Sequence, residues 1–258
     1  MSRDSTAKIL TVAFLLCVIC SILVSAAAVG LSERQERNKA AEKKKNILMA
    51  AGLYDEDVSL DEQFSTIQTR IVDLQSGEFS SDYDVASFDS RVAAREPETR
   101  FVIPKGQDLA GIKAHSRYQD VYLVMDGDTL QQVILPVYGK GLWSTMYGFI
   151  SLDADMTTVV GFAFYEHGET PGLGGEIDNP NWKNLWPGKR IYDDQGKTRI
   201  EVVKGTVDRG SANAIYQVDG LSGATLTARG VGNLLQYWMG QNGYRPLLAK
   251  LKQEGVKQ

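Results

Sequence analysis

From Ile9 to Leu31 the chain runs without a charged residue, ILTVAFLLCVICSILVSAAAVGL. Lipid offers peptide groups no hydrogen bonds, so a run of this kind must coil and satisfy them internally. As an α-helix rising about 1.5 Å per residue it reaches roughly 34 Å, enough to cross a bilayer core. The small residues of VSAAA would also suit a cleaved leader, but the run is longer than a signal-peptide core. A retained single-span anchor is therefore expected within residues 1–31, surrounded by membrane lipid.

Cys17 and Cys20 both fall inside this run, and the rest of the chain has no cysteine. No disulfide is available to the remainder, so thiols do not reveal its redox compartment. On a helix the two sulfurs share a face, where they read as small polarisable side chains packing in lipid or against another helix. With no histidine or acid beside them, no metal site is expected from this chain alone.

Orientation is ambiguous. Arg3 and Lys8 precede the span, with Asp4 between them, whereas Arg34, Arg37, Lys39, Lys43, Lys44 and Lys45 follow it. A simple count puts the large domain in the cytoplasm. That count weakens for a long domain after a single span, and Glu33, Glu36 and Glu42 dilute the basic run.

Over 258 residues the hydrophobic fraction is 43% and the charged fraction 23%, as in a folded protein. The formal charge of -4 argues against nucleic acid as a partner. After the span, SERQERNKAAEKKKNILMAAGL continues at helical period to Gly52 as a polar stalk. The segment with Phe64, Ile67, Ile71 and Leu74 reads as a second helix or a strand, and residues 80–112 as irregular. From Gln119 strands are expected: a hairpin about Asp126-Gly127-Asp128, another turning at Asp153 to Met156, and a third pair between Thr198 and Gly220. A loop rich in glycine and proline, GETPGLGGEIDNPNWKNLWPG, separates the last two. The segment from Ala224 through LTARGVGNLLQYWMG is a helix, apolar at Leu226, Val231, Leu234, Leu235 and Trp238. An α+β fold follows, with an N-terminal transmembrane helix and an antiparallel sheet packed by helices. Its parts are an anchor (1–31), a helical stalk and connecting region (32–118) and a domain over 119–258.

No nucleophile stands out. His167 lies at a strand end among Glu166, Glu169 and Glu176, without metal-ligand spacing to a second histidine, and reads as a hydrogen-bonded structural residue. There is no P-loop and no dinucleotide fingerprint. The stretch VDGLSGATLT, Val218–Thr227, places small residues and hydroxyls where a strand gives way to a helix. Ser222 is a suitable N-cap, and the free amides of a first turn hold anions, phosphate above all. Gly223 and Ala224 leave room for a bulky group. A plain capped helix explains the same residues.

DGLSGAT also fits the flavinylation pattern D-G-x-[Ser/Thr]-G-A-Thr, and HGETPGLG resembles the loop upstream of it in covalent FMN-binding domains. With the apolar span, NILMAAGL and GKGLWSTMYG, the chain resembles, over nearly its whole length, the C-subunit family of sodium-translocating NADH:quinone oxidoreductases, bacterial respiratory pumps. The resemblance implies FMN bonded through its phosphate to Thr225, beside Ser222, Gly223 and Ala224. It also implies Trp143 and Leu173 against the flavin ring, and Thr170 and Gly172 offering hydrogen bonds near it. The chain would then be no catalyst alone: it would relay electrons within a complex, alongside the other subunits of that translocase. A separate flavin transferase would load it, and the domain would face the periplasm from the inner membrane. Two alternatives remain at this stage: the FMN subunit of an Rnf-type ferredoxin–NAD complex, and a non-redox anchor or assembly subunit.

Overall fold

The computed structural model describes residues 6–256. The chain divides into two units, Met1–Lys43 and Lys44–Gln258. Helix α1, Thr6–Ala51, is 46 residues long and supplies nearly all of the first unit. Its stretch from Lys8 is long and apolar enough to cross a membrane, and none of its apolar window is buried among the described residues. Ile9, Phe14, Leu16, Cys17, Cys20 and Leu23 all face outward. The helix stops at Gly52, which takes φ +68, while Leu53 N–H donates to Leu48 O at 2.9 Å. That left-handed residue and the bond across the last turn are the usual glycine C-terminal stop.

The second unit is built on a six-stranded sheet, ordered β2-β1-β5-β6-β7-β8 and antiparallel throughout. Its strands are β1 (Ile67–Asp73), β2 (Glu78–Ser80), β5 (Tyr118–Asp126), β6 (Thr129–Lys140), β7 (Thr145–Asp153) and β8 (Val159–Glu166). A side pair, β3 (Arg100–Val102) and β4 (Ala114–Ser116), precedes β5. Strand alternation sends every second side chain to opposite faces. Val121, Leu123, Val133, Leu135, Ile150 and Leu152 enter a core with helices α5 (Thr225–Trp238) and α6 (Arg245–Glu254). Tyr122, Ile134, Phe149 and Ala163 face the other way, onto Ile47, Leu48, Ala50 and Ala51 at the end of α1. The sheet is therefore covered on both faces, as the α+β expectation requires.

The expected hairpins at Asp126–Asp128 and Asp153–Met156 are β5-β6 and β7-β8. The segment expected as a helix or a strand is both: a short α2, Leu60–Phe64, followed by β1. The third pair is not a hairpin. β9 (Glu201–Val202) and β10 (Gln217–Val218) are parallel, because the intervening chain detours through a 3-10 turn at Ala212–Tyr216 and returns in the same direction. Residues 80–112 hold the end of β2 at Ser80, a short α3, Ser90–Ala93, and β3. Another short helix, α4, spans Pro180–Lys183.

The compact unit begins at Lys44, not near residue 119, because β1 pairs with β5 along its whole length, Ile67 with Val124 through Asp73 with Tyr118. The last turns of α1 belong to the fold of this unit. A fragment starting at Ser32 should unfold cooperatively in urea. One starting at Leu53, which strips Ile47 and Leu48 from the sheet, should lose about 3–6 kcal/mol or aggregate; equal midpoints would refute this packing role.

Candidate functional site

Glu169 organises three distant segments. It is buried, yet four donors reach its carboxylate: Trp143 N–H at 2.9 Å, Ser144 N–H at 3.2 Å, Leu142 N–H at 3.2 Å and the Thr227 hydroxyl at 2.5 Å. Burial by itself pushes the carboxyl upward, but the bonds from Thr227, Trp143, Ser144 and Leu142 together hold it below its ordinary range. The β6-β7 loop, the loop after β8 and helix α5 are thereby tied to one anion. Space for it comes from two glycines. A Cβ at Gly141 would lie 2.5 Å from Oε1, and one at Gly174 2.9 Å from Oε2.

The loop after β8 is fixed from both ends. Glu169 N–H donates to His167 Nδ1 at 3.2 Å, so the proton sits on Nε2 and reaches Asp178 Oδ2 at 2.7 Å. Asp178 also faces Lys183 at 3.3 Å; burial pushes its carboxyl up, and His167 and Lys183 outweigh that to hold it low. His167 is thus a bracket, as its position suggested. Glu166 pairs with Arg91 at 2.9 Å, and Glu176 accepts from Asn179. At the loop's tip, Thr170 O accepts from Leu173 N–H at 3.1 Å, with Pro171 and Gly172 (φ +75) between them. This is the order a type II turn demands. The turn leaves Leu173 outside.

Helix α5 begins differently from the expectation. Ser222 is not its cap: Ser222 and Gly223 form a turn, the capping position falls on Ala224, and no side chain caps the first amides. Gly223 at φ +72 bends the chain away from a serine-capped geometry. Thr225 is therefore the first helical residue. It is exposed, whereas Thr227 is fully buried on Glu169. The turn before the helix is held by Asp219, which accepts from Val207 N–H and Arg209, both at 2.8 Å. Gly220 lies so close to the chain just after β9 that a Cβ there would meet Val203 O at 2.3 Å.

Thr225 lines a small cavity of about 140 Å³ with Lys204, Gly205, Gly220 and Arg229. The uncapped amides and two cations make its surroundings suited to a phosphate. Apolar side chains stand outside it. Trp143 is 67% exposed, Leu226 52% and Leu173 46%. Leu173 Cδ2 lies 3.0 Å from where a Cβ on Gly223 would be. Trp143 and Leu173 come from the two loops that Glu169 joins, and Leu226 follows Thr225. Trp143, Thr170, Gly172, Leu173 and Thr225 thus sit on the three segments that the clamp ties together, with Ser222, Gly223 and Ala224 immediately before α5. Among the described residues no group of histidines, cysteines and acids could hold a metal.

The family model of the FMN-binding domain matches residues 141–240, the span from the β6-β7 loop to the end of α5. The C-subunit of the Na(+)-translocating NADH-quinone reductase from Pseudomonas aeruginosa is 48% identical over 97% of this chain and 98% of its own. The chain belongs to that C-subunit family. The Yersinia pestis member is 46% identical over 99% of this chain and 97% of its own. Among solved structures, NqrC of Shewanella oneidensis superposes with a TM-score of 0.75 at 39% identity, covering 82% of this chain and 96% of its own. The C-subunit from Parabacteroides distasonis gives 0.62 at 26% identity, over 86% and 96%.

Sequence reasoning missed Glu169 as the clamp, Asp219 and Gly220 as the brace, and Lys204 and Arg229 beside Thr225. The acid stands 58 residues from Thr227 and 26 from Trp143, so no local spacing reports it. Only its place inside the GETPGLGG loop singles it out.

Replacing Glu169→Gln keeps the shape, but its amide opposes two of the donors. Stability at neutral pH should fall by about 1.5–3 kcal/mol, read by chemical denaturation. Because the folded carboxyl titrates below the unfolded one, its contribution is complete above the ordinary value of 4.5 and fades as pH falls through the folded value. The wild-type advantage over Glu169→Gln should be level at higher pH and shrink below about pH 4.5; an advantage that grows on acidification would contradict the clamp.

Proposed function

We propose that this chain is a membrane-anchored flavoprotein subunit of a sodium-translocating NADH:quinone oxidoreductase, relaying electrons through FMN joined by its phosphate to Thr225. The observation that carries this reading is the setting of Thr225: first in α5, exposed, in a first turn that no side chain caps, and lining a cavity with Lys204 and Arg229. Relatives named as subunits of that reductase match nearly the whole chain, which favours this complex over the Rnf-type alternative or a non-redox anchor.

FMN, when bound, supplies the electron-carrying chemistry that no side chain here can. What the chain supplies is retention and position. The α5 amides, Lys204 and Arg229 meet the single negative charge a phosphodiester keeps. Trp143, Leu173 and Leu226 offer apolar surface to a ring, with Thr170 and Gly172 at the turn beside them. Ser222, Gly223 and Ala224 set the turn that exposes Thr225. Glu169 holds the two loops and the helix in one arrangement.

Thr225 does not activate itself. Its cavity is shared with Lys204 and Arg229 and is lined by no histidine or carboxylate to act as a base, so attachment falls to a separate flavin transferase. Thr225 is a modification site, and NADH and quinone need not touch this chain. The apolar half of α1 sits in lipid, in a bacterial inner membrane, with the domain on the periplasmic side where the transferase also works.

Thr225→Val should abolish the in-gel ultraviolet fluorescence of the denatured polypeptide, while unfolding stability changes by no more than about 0.5 kcal/mol, as for an exposed site. Ser222→Ala should retain fluorescence, since that hydroxyl caps nothing. Covalent flavin surviving on Thr225→Val, by fluorescence and tryptic-peptide mass, would overturn the assignment.

Topology has its own test. Protease added to intact spheroplasts should digest the domain beyond Ser32. Protection until lysis would place it in the cytoplasm, as the count of flanking basic residues indicated.

A further inference from the structure

A chain carrying a net charge of -4 nonetheless has a strongly basic groove. It encloses about 770 Å³ and is lined by Arg91, Arg95, Arg100, Lys113 and Lys140, with Glu166 as its sole acid. Glu166 is committed to Arg91 at 2.9 Å, and that guanidinium lies 3.7 Å from the centre of the Tyr147 ring. Arg95, Arg100, Lys113 and Lys140 are exposed and make no ion pair among the described residues. Four cations without an ion pair thus line one concavity, a concentration of like charge that disfavours the compact state by self-repulsion.

The backbone adds a second sign. Among the described residues, Lys113 is one of two non-glycine residues at positive φ, at 65°. Asp108 holds it there by accepting from Ile112 N–H at 3.0 Å and Lys113 N–H at 2.8 Å. A left-handed lysine costs energy, and here it contributes to the groove. The groove also borders the flavin-site loop. Lys140 and Thr145, both in its wall, are the two ends of the turn carrying Trp143. The carbonyl of Lys140 approaches α5 so closely that a Cβ on Gly230 would meet it at 2.5 Å.

We infer that this groove docks an acidic surface of a partner subunit beside the flavin-site loop. The inference rests on the reading of the chain as an electron-relay subunit. Charge complementarity selects the occupant: an acidic protein surface matches several separated cations, whereas a small phosphate would leave most of such a volume empty. Docking there brings a partner against the Trp143 turn, where an electron carrier is approached.

The test uses the assembled complex and a water-soluble carbodiimide, which condenses a carboxylate with a lysine amine into an amide, the carbodiimide taking up the oxygen as its urea. Peptide mapping should find Lys113 or Lys140 joined to an Asp or Glu of another subunit. The yield should fall roughly fivefold in Arg95→Glu/Arg100→Glu and less in Arg95→Gln/Arg100→Gln, and fall in high salt. Amides confined to the chain itself, such as Lys113 to Asp108, would overturn the inference, as would links between two copies or an unchanged yield. Loss of the links to excess inorganic pyrophosphate or phosphatidylglycerol vesicles alone would assign the groove to phosphate groups and overturn it equally. In-gel fluorescence of the same samples reports flavin separately, so a failed flavin reading is distinguished from a failed docking one.

Discussion

A carboxylate removed from water must be met by hydrogen bonds or by opposite charge, and Glu169 is met by four donors from two other segments. None of the four is a cation. Its ionised form is held by oriented N–H and O–H dipoles alone, which demand correct geometry from every contributor at once. Loop 141–144 must present successive amides, α5 must turn the Thr227 hydroxyl inward, and glycines must stand at 141 and 174. The arrangement is therefore cooperative: removing one donor leaves the anion under-satisfied and loosens the other two segments.

This clamp also determines which hydroxyl of α5 is available. Thr225 and Thr227 are two positions apart on a 3.6-residue helix and so point in widely different directions. Once Thr227 is turned into the core to reach Glu169, Thr225 is turned out, exposed in the uncapped first turn. The opposite rotation would bury Thr225 and cost the clamp its hydroxyl donor. The sheet supplies the rigid base for this choice, since β6 and β7 lead into and out of the loop that Glu169 grips.

What the sequence disclosed follows from how local each signal is. The long apolar run and its glycine stop are contiguous, and α1 follows them closely. The β5-β6 and β7-β8 hairpins were readable because alternation and turn residues lie within a few positions of each other. The pairing of β1 with β5 was not readable, because the chain between Asp73 and Tyr118 carries no regular pattern that announces it. That is also why the compact unit was expected to begin too late. Ser222 misled for a different reason: a serine before a helical pattern is a good capping signal, but Gly223 in the left-handed region shifts the helix start to Thr225. The brace of Asp219 onto residues 207 and 209 depends on a detour in the chain that has no periodicity at all.

The exposure of the site bears on why the proposed covalent link would suit it. Small-molecule pockets commonly bury most of their ligand, and burial is what keeps the ligand from leaving. Here the cavity beside Thr225 is about 140 Å³, enough for a phosphate but not for an isoalloxazine ring, and Trp143, Leu173 and Leu226 lie open to solvent. A cofactor held only by this surface would exchange readily. On the proposed reading, the bond at Thr225 provides retention, so the ring need not be enclosed. An unenclosed ring is what a relay requires, because electrons enter and leave through partners that must come close to it. Openness and covalent attachment are then two parts of one solution, and the Glu169 clamp keeps the open side in a single shape.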